Sequence, residues 1–338
     1  MKRINIIITR LFPPGTFRLN CLAALISAMA FSILILNFQA TPVGAGFESE
    51  SAIPQTPSIP QMGGDSGSGA PNLASQTGAD GKATADINRQ IHSAIHGSRL
   101  ALQLHVALLE IGKHRLEQLS DYSATFIKQE RMDGEDLQEM QTMNVKIRHK
   151  PFSVYLKWIE GGDTGREILF VEGEADDKML VRLGGLKGKL VPPLKLDPRG
   201  STALKEARHP VTELGLLELC KLCISYRKRD LQLKDGIRWE MFDDQKVCDR
   251  DCYTFAVEYT SKDVEPVYRK SITYIDKEWS LPICVRNFGW LPEGADADPS
   301  KLDENTNIEF YGYKDIRLDT RLSEADFDKT NKEYTFKR

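Results

Sequence analysis

An α+β fold, built on one large and mostly antiparallel sheet covered by helices, is what this sequence predicts, and three observations predict it. The stretch MNVKIRHKPFSVYLKW, residues 143–158, alternates apolar and polar side chains on both sides of a turn. Further alternating segments follow at short, regular spacing, joined by Gly- and Asp-rich turns with no helix-length crossover between them. Two Leu-rich stretches, within residues 84–119 and 201–229, carry helical periodicity. Short strands joined by tight turns describe a meander, and the missing crossovers exclude a doubly wound nucleotide-binding fold.

The N-terminus predicts export. Lys2, Arg3, Arg10 and Arg18 precede an almost entirely apolar run from Leu19 to Phe38, and Val43-Gly44-Ala45 supplies small residues suited to a signal peptidase. The run is also long enough to span a bilayer as an uncleaved anchor, with everything after residue 45 outside the cytoplasm, so residues 1–45 are a signal peptide or a membrane anchor. Cys21 precedes the apolar core instead of following it, which argues against a lipid attachment site. Residues 46–83, rich in Pro, Gly, Ser and Gln, cannot bury enough apolar surface to offset ordering entropy and predict a disordered linker. Their Gly64-Asp65-Ser66-Gly67 resembles a protease nucleophile motif, but no folded domain precedes it to supply partners. The remaining residues, 84–338, read as a single α+β domain.

Within that domain, Ile87, Ile91 and Ile95, then Leu100, Leu104, Leu108 and Ile111, give a broad helical stripe suited to lying on a sheet. His92 and His96 have i, i+4 spacing, but no third ligand and no neighbouring Glu complete a zinc motif. Strands follow over Tyr122 to Ile127, in the central hairpin, and over Arg166 to Glu172, Met179 to Leu183 and Lys189 to Leu196. In the hairpin, Met143, Val145 and Ile147 and then Phe152, Val154, Leu156 and Trp158 form one apolar row, and Pro151, lacking an amide hydrogen, belongs at the turn. Ser201-Thr202 can cap a short helix and Thr212 a longer one, ending in Arg227-Lys228-Arg229. Alternation resumes in Ile237 to Met241, Tyr253 to Tyr259, Tyr268 to Ile275, Leu281 to Phe288 and Asn307 to Ile316.

Composition narrows the function classes. Of 338 residues, 41% are hydrophobic and 28% charged, enough for a sizeable core, and the formal charge of −3 gives no electrostatic reason to expect nucleic acid. Without residues 1–45 the balance is 41 basic against 48 acidic residues, a net −7. There is no nucleophile elbow, no phosphate loop and no carboxylate pair at glycosidase spacing, so no catalytic residue, metal or cofactor is expected.

Three separate motifs carry a family resemblance. VKIRHKPFSVYLKW, EARHPVTELGL at Glu206 to Leu216 and SEADFDKTNKEYTF at Ser323 to Phe336 resemble a bacterial family of exported proteins, domain of unknown function 1571, over about residues 105–338. LEIGKHRLEQLSDYSATFIKQER, with Tyr122, Phe126 and Gln129, resembles the opening helix and strand of the LolA-like periplasmic lipoprotein carriers. That resemblance implies a curved antiparallel sheet forming an incomplete barrel, closed on its concave side by helices around an apolar cavity. It also implies a location in the periplasm or cell envelope and a lipid, acyl chain or lipoprotein as ligand. The long linker, the membrane segment and the inserted loop Pro292 to Asn305 depart from a compact shuttle.

The candidate ligand-binding residues are Phe152 and Trp158 on the apolar row, with Arg148-His149 and Arg208-His209. Arginine pairs with phosphate or carboxylate through two hydrogen bonds, so these pairs would line a mouth holding an anionic headgroup; the alternative is that they fix turns and element ends. Outside the cytoplasm disulfides are the default for Cys220, Cys223, Cys248, Cys252 and Cys284. Cys252 with Cys284 is the favoured pair, and Cys220 or Cys223 with Cys248 the other; the Cys220-Lys221-Leu222-Cys223 spacing lies inside a Leu-rich helix instead of at the helix start a redox motif needs. The expected function is non-enzymatic binding of a lipid or lipoprotein. The alternative is a structural or protein-interaction module of the envelope with no small ligand.

Overall fold

The computed structural model describes residues 97–336, apart from residues 293, 296 and 297. The expected leader at 1–45, the linker at 46–83 and the first helical turns with Ile87, Ile91, His92, Ile95 and His96 lie outside the described residues.

Helix α1, Arg99–Glu117, buries Ala101, Leu102, His105, Leu109, Gly112 and Leu116, a stripe at i, i+3 and i+4 spacing. Gly112 sets how closely it packs. A methyl group there would lie 2.0 Å from the carbonyl oxygen of Ser280, so only hydrogen lets the helix backbone rest on that turn.

The first meander runs through β1 (Asp121–Glu130), β2 (Gln141–His149), β3 (Phe152–Glu160), β4 (Glu167–Val171) and β5 (Met179–Arg182). The central hairpin pairs Val145 with Leu156 and Ile147 with Val154, so the apolar row read from the sequence is continuous across both strands. After β5 the chain departs from the expected strand over Lys189 to Leu196. Residues Gly185–Leu190 form helix α2, and only Leu194–Leu196 join the sheet as β6. Pro192 and Pro193 lack amide hydrogens, which removes two donors just where a longer ladder would need them.

The Ser201-Thr202 region turns without forming the expected helix. Val211–Glu213 make a single 3-10 turn, and helix α3, Leu216–Asp230, begins after Gly215 instead of at Thr212. The phenol oxygen of Tyr122 accepts the Leu216 amide at 2.7 Å, so a side chain from β1 satisfies one of the first-turn donors that a cap residue would otherwise take. The second meander follows as β7 (Ile237–Val247), β8 (Arg250–Tyr259), β9 (Lys270–Asp276) and β10 (Pro282–Phe288); a short helix α4 (Leu302–Thr306) leads into β11 (Asn307–Leu318).

The eleven strands form one open sheet in the order β6-β5-β4-β3-β2-β1-β11-β10-β9-β8-β7. Every neighbouring pair is antiparallel, and β1 and β11 form the central seam. The main core packs α1 and α3 onto one face, here called the inner face, where Leu109, Leu116 and Leu216 meet the row Met143, Val145 and Ile147.

The expectation of a single apolar face is corrected at β3 and β4. Tyr155, Leu169 and Val171 point away from α1 and α3 and pack with Phe327, Tyr334 and Phe336 from the chain end. Tyr155 and Tyr334 stack with ring centroids 3.8 Å apart, and Lys146 Nζ donates to Asp326 at 2.8 Å. The closing motif is thus a strap across the outer face.

Candidate functional site

A cavity of about 2020 Å³ opens between the inner face of β1–β6 and the cover formed by residues 197–222. Its sheet wall is apolar because the period-two rows of five strands face it. Phe126, Met143, Leu156, Ile168 and Val181 contribute from the sheet, and Leu217 from α3.

One end of the cavity is polar. Along β1 the cavity-lining side chains run from Tyr122 and Phe126 to Lys128 and Glu130, so a single strand carries the site from grease to charge. Lys128 Nζ donates to Glu130 Oε2 at 2.9 Å, and the Tyr311 hydroxyl donates to Glu130 Oε1 at 2.6 Å. Trp158 Nε1 donates to Gln141 Oε1 at 2.9 Å beside them. Behind this end lies a second carboxylate, Glu309, which accepts from Arg208 Nε at 2.7 Å, Asn287 Nδ2 at 2.7 Å and the Tyr268 hydroxyl at 3.2 Å. His209 Nε2 is 3.4 Å from the same group. Burial alone would raise the Glu309 pKa, but the hydrogen bond and charge of His209, then Arg208 and Asn287, outweigh it and bring it down to about 2. Burial likewise pulls His209 down, and its contacts with Glu309 overcome that, so the imidazole is raised and favours the charged form.

The residues singled out in the sequence divide into two groups. His149, Phe152, Trp158 and His209 line the cavity. His149 Nδ1 is 3.0 Å from the Leu119 carbonyl oxygen, and burial lowers its pKa. Phe152 packs on Phe170, and the Arg166 guanidinium lies 5.5 Å over the Trp158 ring. Arg148 is not at a mouth: strand alternation turns it to the outer face, where it donates to Ser153 and to Glu324 at 2.5 Å and covers the Phe327 ring. Arg208 is locked on Glu309 and donates to the Arg131 carbonyl, so neither arginine meets the expectation of an open anion site. The arginines that line the cavity are also paired, Arg166 with Asp163 and Glu206, and Arg199 with Glu213. Lys128, Glu130, Glu309 and Tyr311 were missed by sequence reasoning. Lys128 and Glu130 continue the period of Tyr122 and Phe126 on β1, and that phase was the available signal.

All five described cysteines are free thiols. The favoured pair fails for a topological reason: Cys284 on β10 faces Tyr274 on β9, and Tyr274 in turn faces Thr254 on β8, two residues from Cys252. With a strand between them the two Cα atoms are at least about 9 Å apart, beyond disulfide reach. Cys220 donates to the Leu109 carbonyl, inside the α1–α3 contact, instead of meeting Cys248. Burial pushes every thiol up, Cys223 and Cys248 to about 11 and Cys252 to about 12, the opposite of what a nucleophilic or redox thiol requires. Among the described residues no group of three or more His, Cys, Asp or Glu side chains is arranged to hold a metal ion, and no helix is long and apolar enough to cross a membrane.

No curated protein matches the chain. Among solved structures, the Mycobacterium tuberculosis lipoprotein LppX is 11% identical, with 68% of this chain and 100% of that one covered at a TM-score of 0.38. A putative outer membrane lipoprotein-sorting protein domain from Vibrio parahaemolyticus is 17% identical, with 65% and 96% covered and a TM-score of 0.31. The MucA/MucB complex of Pseudomonas aeruginosa gives 12% identity, 66% and 60% coverage and a TM-score of 0.36. One family model matches most of the domain, residues 119–336, and by that match the chain belongs to the family described as protein of unknown function DUF1571.

Proposed function

We propose that this is an exported cell-envelope protein that binds a lipid, an acyl chain or the acylated end of a lipoprotein in the cavity and leaves it chemically unchanged. The observation that carries the reading is the cavity itself: about 2020 Å³ with an apolar sheet wall, a buried polar cluster at Lys128 and Glu130, and exposed charges, Lys150, Glu172 and Asp177 among them, elsewhere in its lining. Pockets for drug-sized ligands run to about 1,000 Å³, so this volume suits a larger guest with more than one chain. Each buried methylene contributes about 0.8 kcal/mol, so one sixteen-carbon chain supplies about 12 kcal/mol toward binding before ordering costs. The polar end would receive the head of such an amphiphile through Lys128, Glu130 and the Tyr311 hydroxyl, while Phe152 and Trp158 contact its chains and His149 and His209 border it. Export rests on the basic and apolar leader, and binding without catalysis is supported by thiols whose pKa values are raised and by carboxylates already tied to cations.

The test is native mass spectrometry of the purified protein, with solvent extraction and titration by a fluorescent fatty acid. Ile168→Trp with Leu217→Trp, which fill the cavity from opposite walls, should abolish retained lipid and reduce fatty-acid binding at least tenfold while the urea midpoint changes little. A protein that retains no lipid and binds no fatty acid would refute the reading. Stoichiometric capture of an envelope protein, unaffected by the two tryptophans, would replace it with the interaction-module alternative.

A further inference from the structure

Helix α2 presents an apolar surface that the core does not use. Leu190 is 84% exposed and Leu186 75%, the two most exposed large hydrophobic side chains among the described residues. Lone exposed leucines are common, but these are four residues apart and so share one face of the helix. Along the chain the charge on either side of them has a single sign. From Lys178 to Leu196 the sequence holds five basic residues and no acidic one, in a chain whose formal charge is −3. Lys187 and Lys189 flank the two leucines in the helix itself and are exposed, as is Lys195 on β6.

The root of the helix is fixed while its tip projects. A methyl group on Gly184 would lie 2.4 Å from the Asp163 carbonyl oxygen, and the Gly185 amide donates to the Thr164 carbonyl at 3.3 Å, so the backbone is seated on the β3–β4 turn. The helix also connects β5 to β6, and Leu183 and Leu194, on either side of it, both line the cavity. An apolar tip ringed by lysines, held on a rigid root at the cavity edge, has the chemistry of a group that enters a lipid surface. Leucines pass the headgroups while lysines meet anionic phosphates.

We propose that α2 is a membrane-docking finger that inserts Leu186 and Leu190 into an anionic lipid surface, with Lys187 and Lys189 on the headgroups. This does not depend on what the cavity holds. The experiment uses the full chain, and because its N-terminal apolar run can itself bind vesicles, the readout is the emission that each added tryptophan contributes over the wild type, whose four native tryptophans set the background. Leu190→Trp, with Ile111→Trp on α1 as the control, is mixed with vesicles of phosphatidylglycerol and phosphatidylethanolamine whose acyl chains carry bromine. The Leu190→Trp emission should be quenched by the bromine and the Ile111→Trp emission should not. Lys187→Glu with Lys189→Glu should weaken the quenching at least tenfold at low salt, since each lysine near an anionic surface is worth about fivefold and each reversal adds repulsion. Tryptophan at 190 that stays unquenched while the protein is vesicle-bound would overturn the proposal. So would emission already blue-shifted without vesicles, whether concentration-dependent, which means a second copy covers the finger, or not, which means the chain's own remainder does.

Discussion

Glu309→Gln is the most demanding test of the polar end of the site. The folded protein holds this carboxyl at about 2 against an ordinary 4.5. The difference corresponds to about 3 kcal/mol of stability at neutral pH, because each unit is about 1.4 kcal/mol. The sign follows from a depressed pKa: the contribution is fully present above the unfolded value and is lost as pH falls through the folded one. Of the roughly 3 kcal/mol, about 1 should be gone at pH 4 and about 2 at pH 3. Glutamine keeps the shape and removes the charge, leaving Arg208 with the Arg131 carbonyl and the exposed Asp133. Urea denaturation followed by tryptophan fluorescence at pH 7 should therefore show a loss of about 3 kcal/mol, at the lower end of the 3–5 expected for breaking a buried pair. The loss should shrink below pH 4 until the two curves converge. His209 adds an opposite limb. Its raised pKa gives stability that is complete below the unfolded histidine value and disappears as pH rises through the folded value, so Glu309 and His209 together contribute most between about pH 5 and 6.5, while buried His105 and His149, whose pKa values are lowered, oppose them as pH falls below the unfolded histidine value. An unchanged midpoint at pH 7, or a wild-type curve flat from pH 5 to 3, would refute the reasoning.

Arg148→Ala should loosen the outer strap without touching ligand: limited proteolysis should cut within residues 319–336 several times faster, and fatty-acid binding should be unaltered. His105→Leu should raise stability by about 1 kcal/mol in urea, because both ring nitrogens are buried without a hydrogen-bond partner while the ring stacks on Phe255. The same variant should flatten the acid limb below pH 6.5, since burial and then Arg227 hold that histidine well below its usual pKa and its contribution falls as protons are added. Gly112→Ala should cost more than about 3 kcal/mol, seen as a lowered urea midpoint, since the new methyl meets backbone at the Ser280 turn and neither partner can step aside.

The strands were legible because alternation is a local property. The row Met143, Val145, Ile147 and its partners on β3 could be read directly, and the register followed from the turn at Pro151. What could not be read was which second face would also be used. Tyr155, Leu169 and Val171 alternate as well as their neighbours do, but the rings that cover them come from Phe327, Tyr334 and Phe336, more than 150 residues away. The same distance hid the site's polar end. Lys128 and Glu130 look like ordinary surface charge until Tyr311 and Gln141 arrive beside them from two other strands. Arg148 and Arg208 drew notice as free cations, and their anionic partners, Glu324 and Glu309, likewise lie far along the chain. Helix α2 was masked by leucines and lysines that fit a short strand as readily as a turn of helix.

The middle of the sheet is closed by its first and last strands, Phe126 lying across from Tyr313. The six strands β1–β6 and the four strands β7–β10 can each zip up from neighbouring hairpins, but their union waits for residues 307–318, the last of the described strands in chain order. Until then two long borders of unpaired amides and carbonyls stand exposed, β1 on one half and β10 on the other, so slow completion and a need for protection against clumping while the chain folds are written into the connectivity.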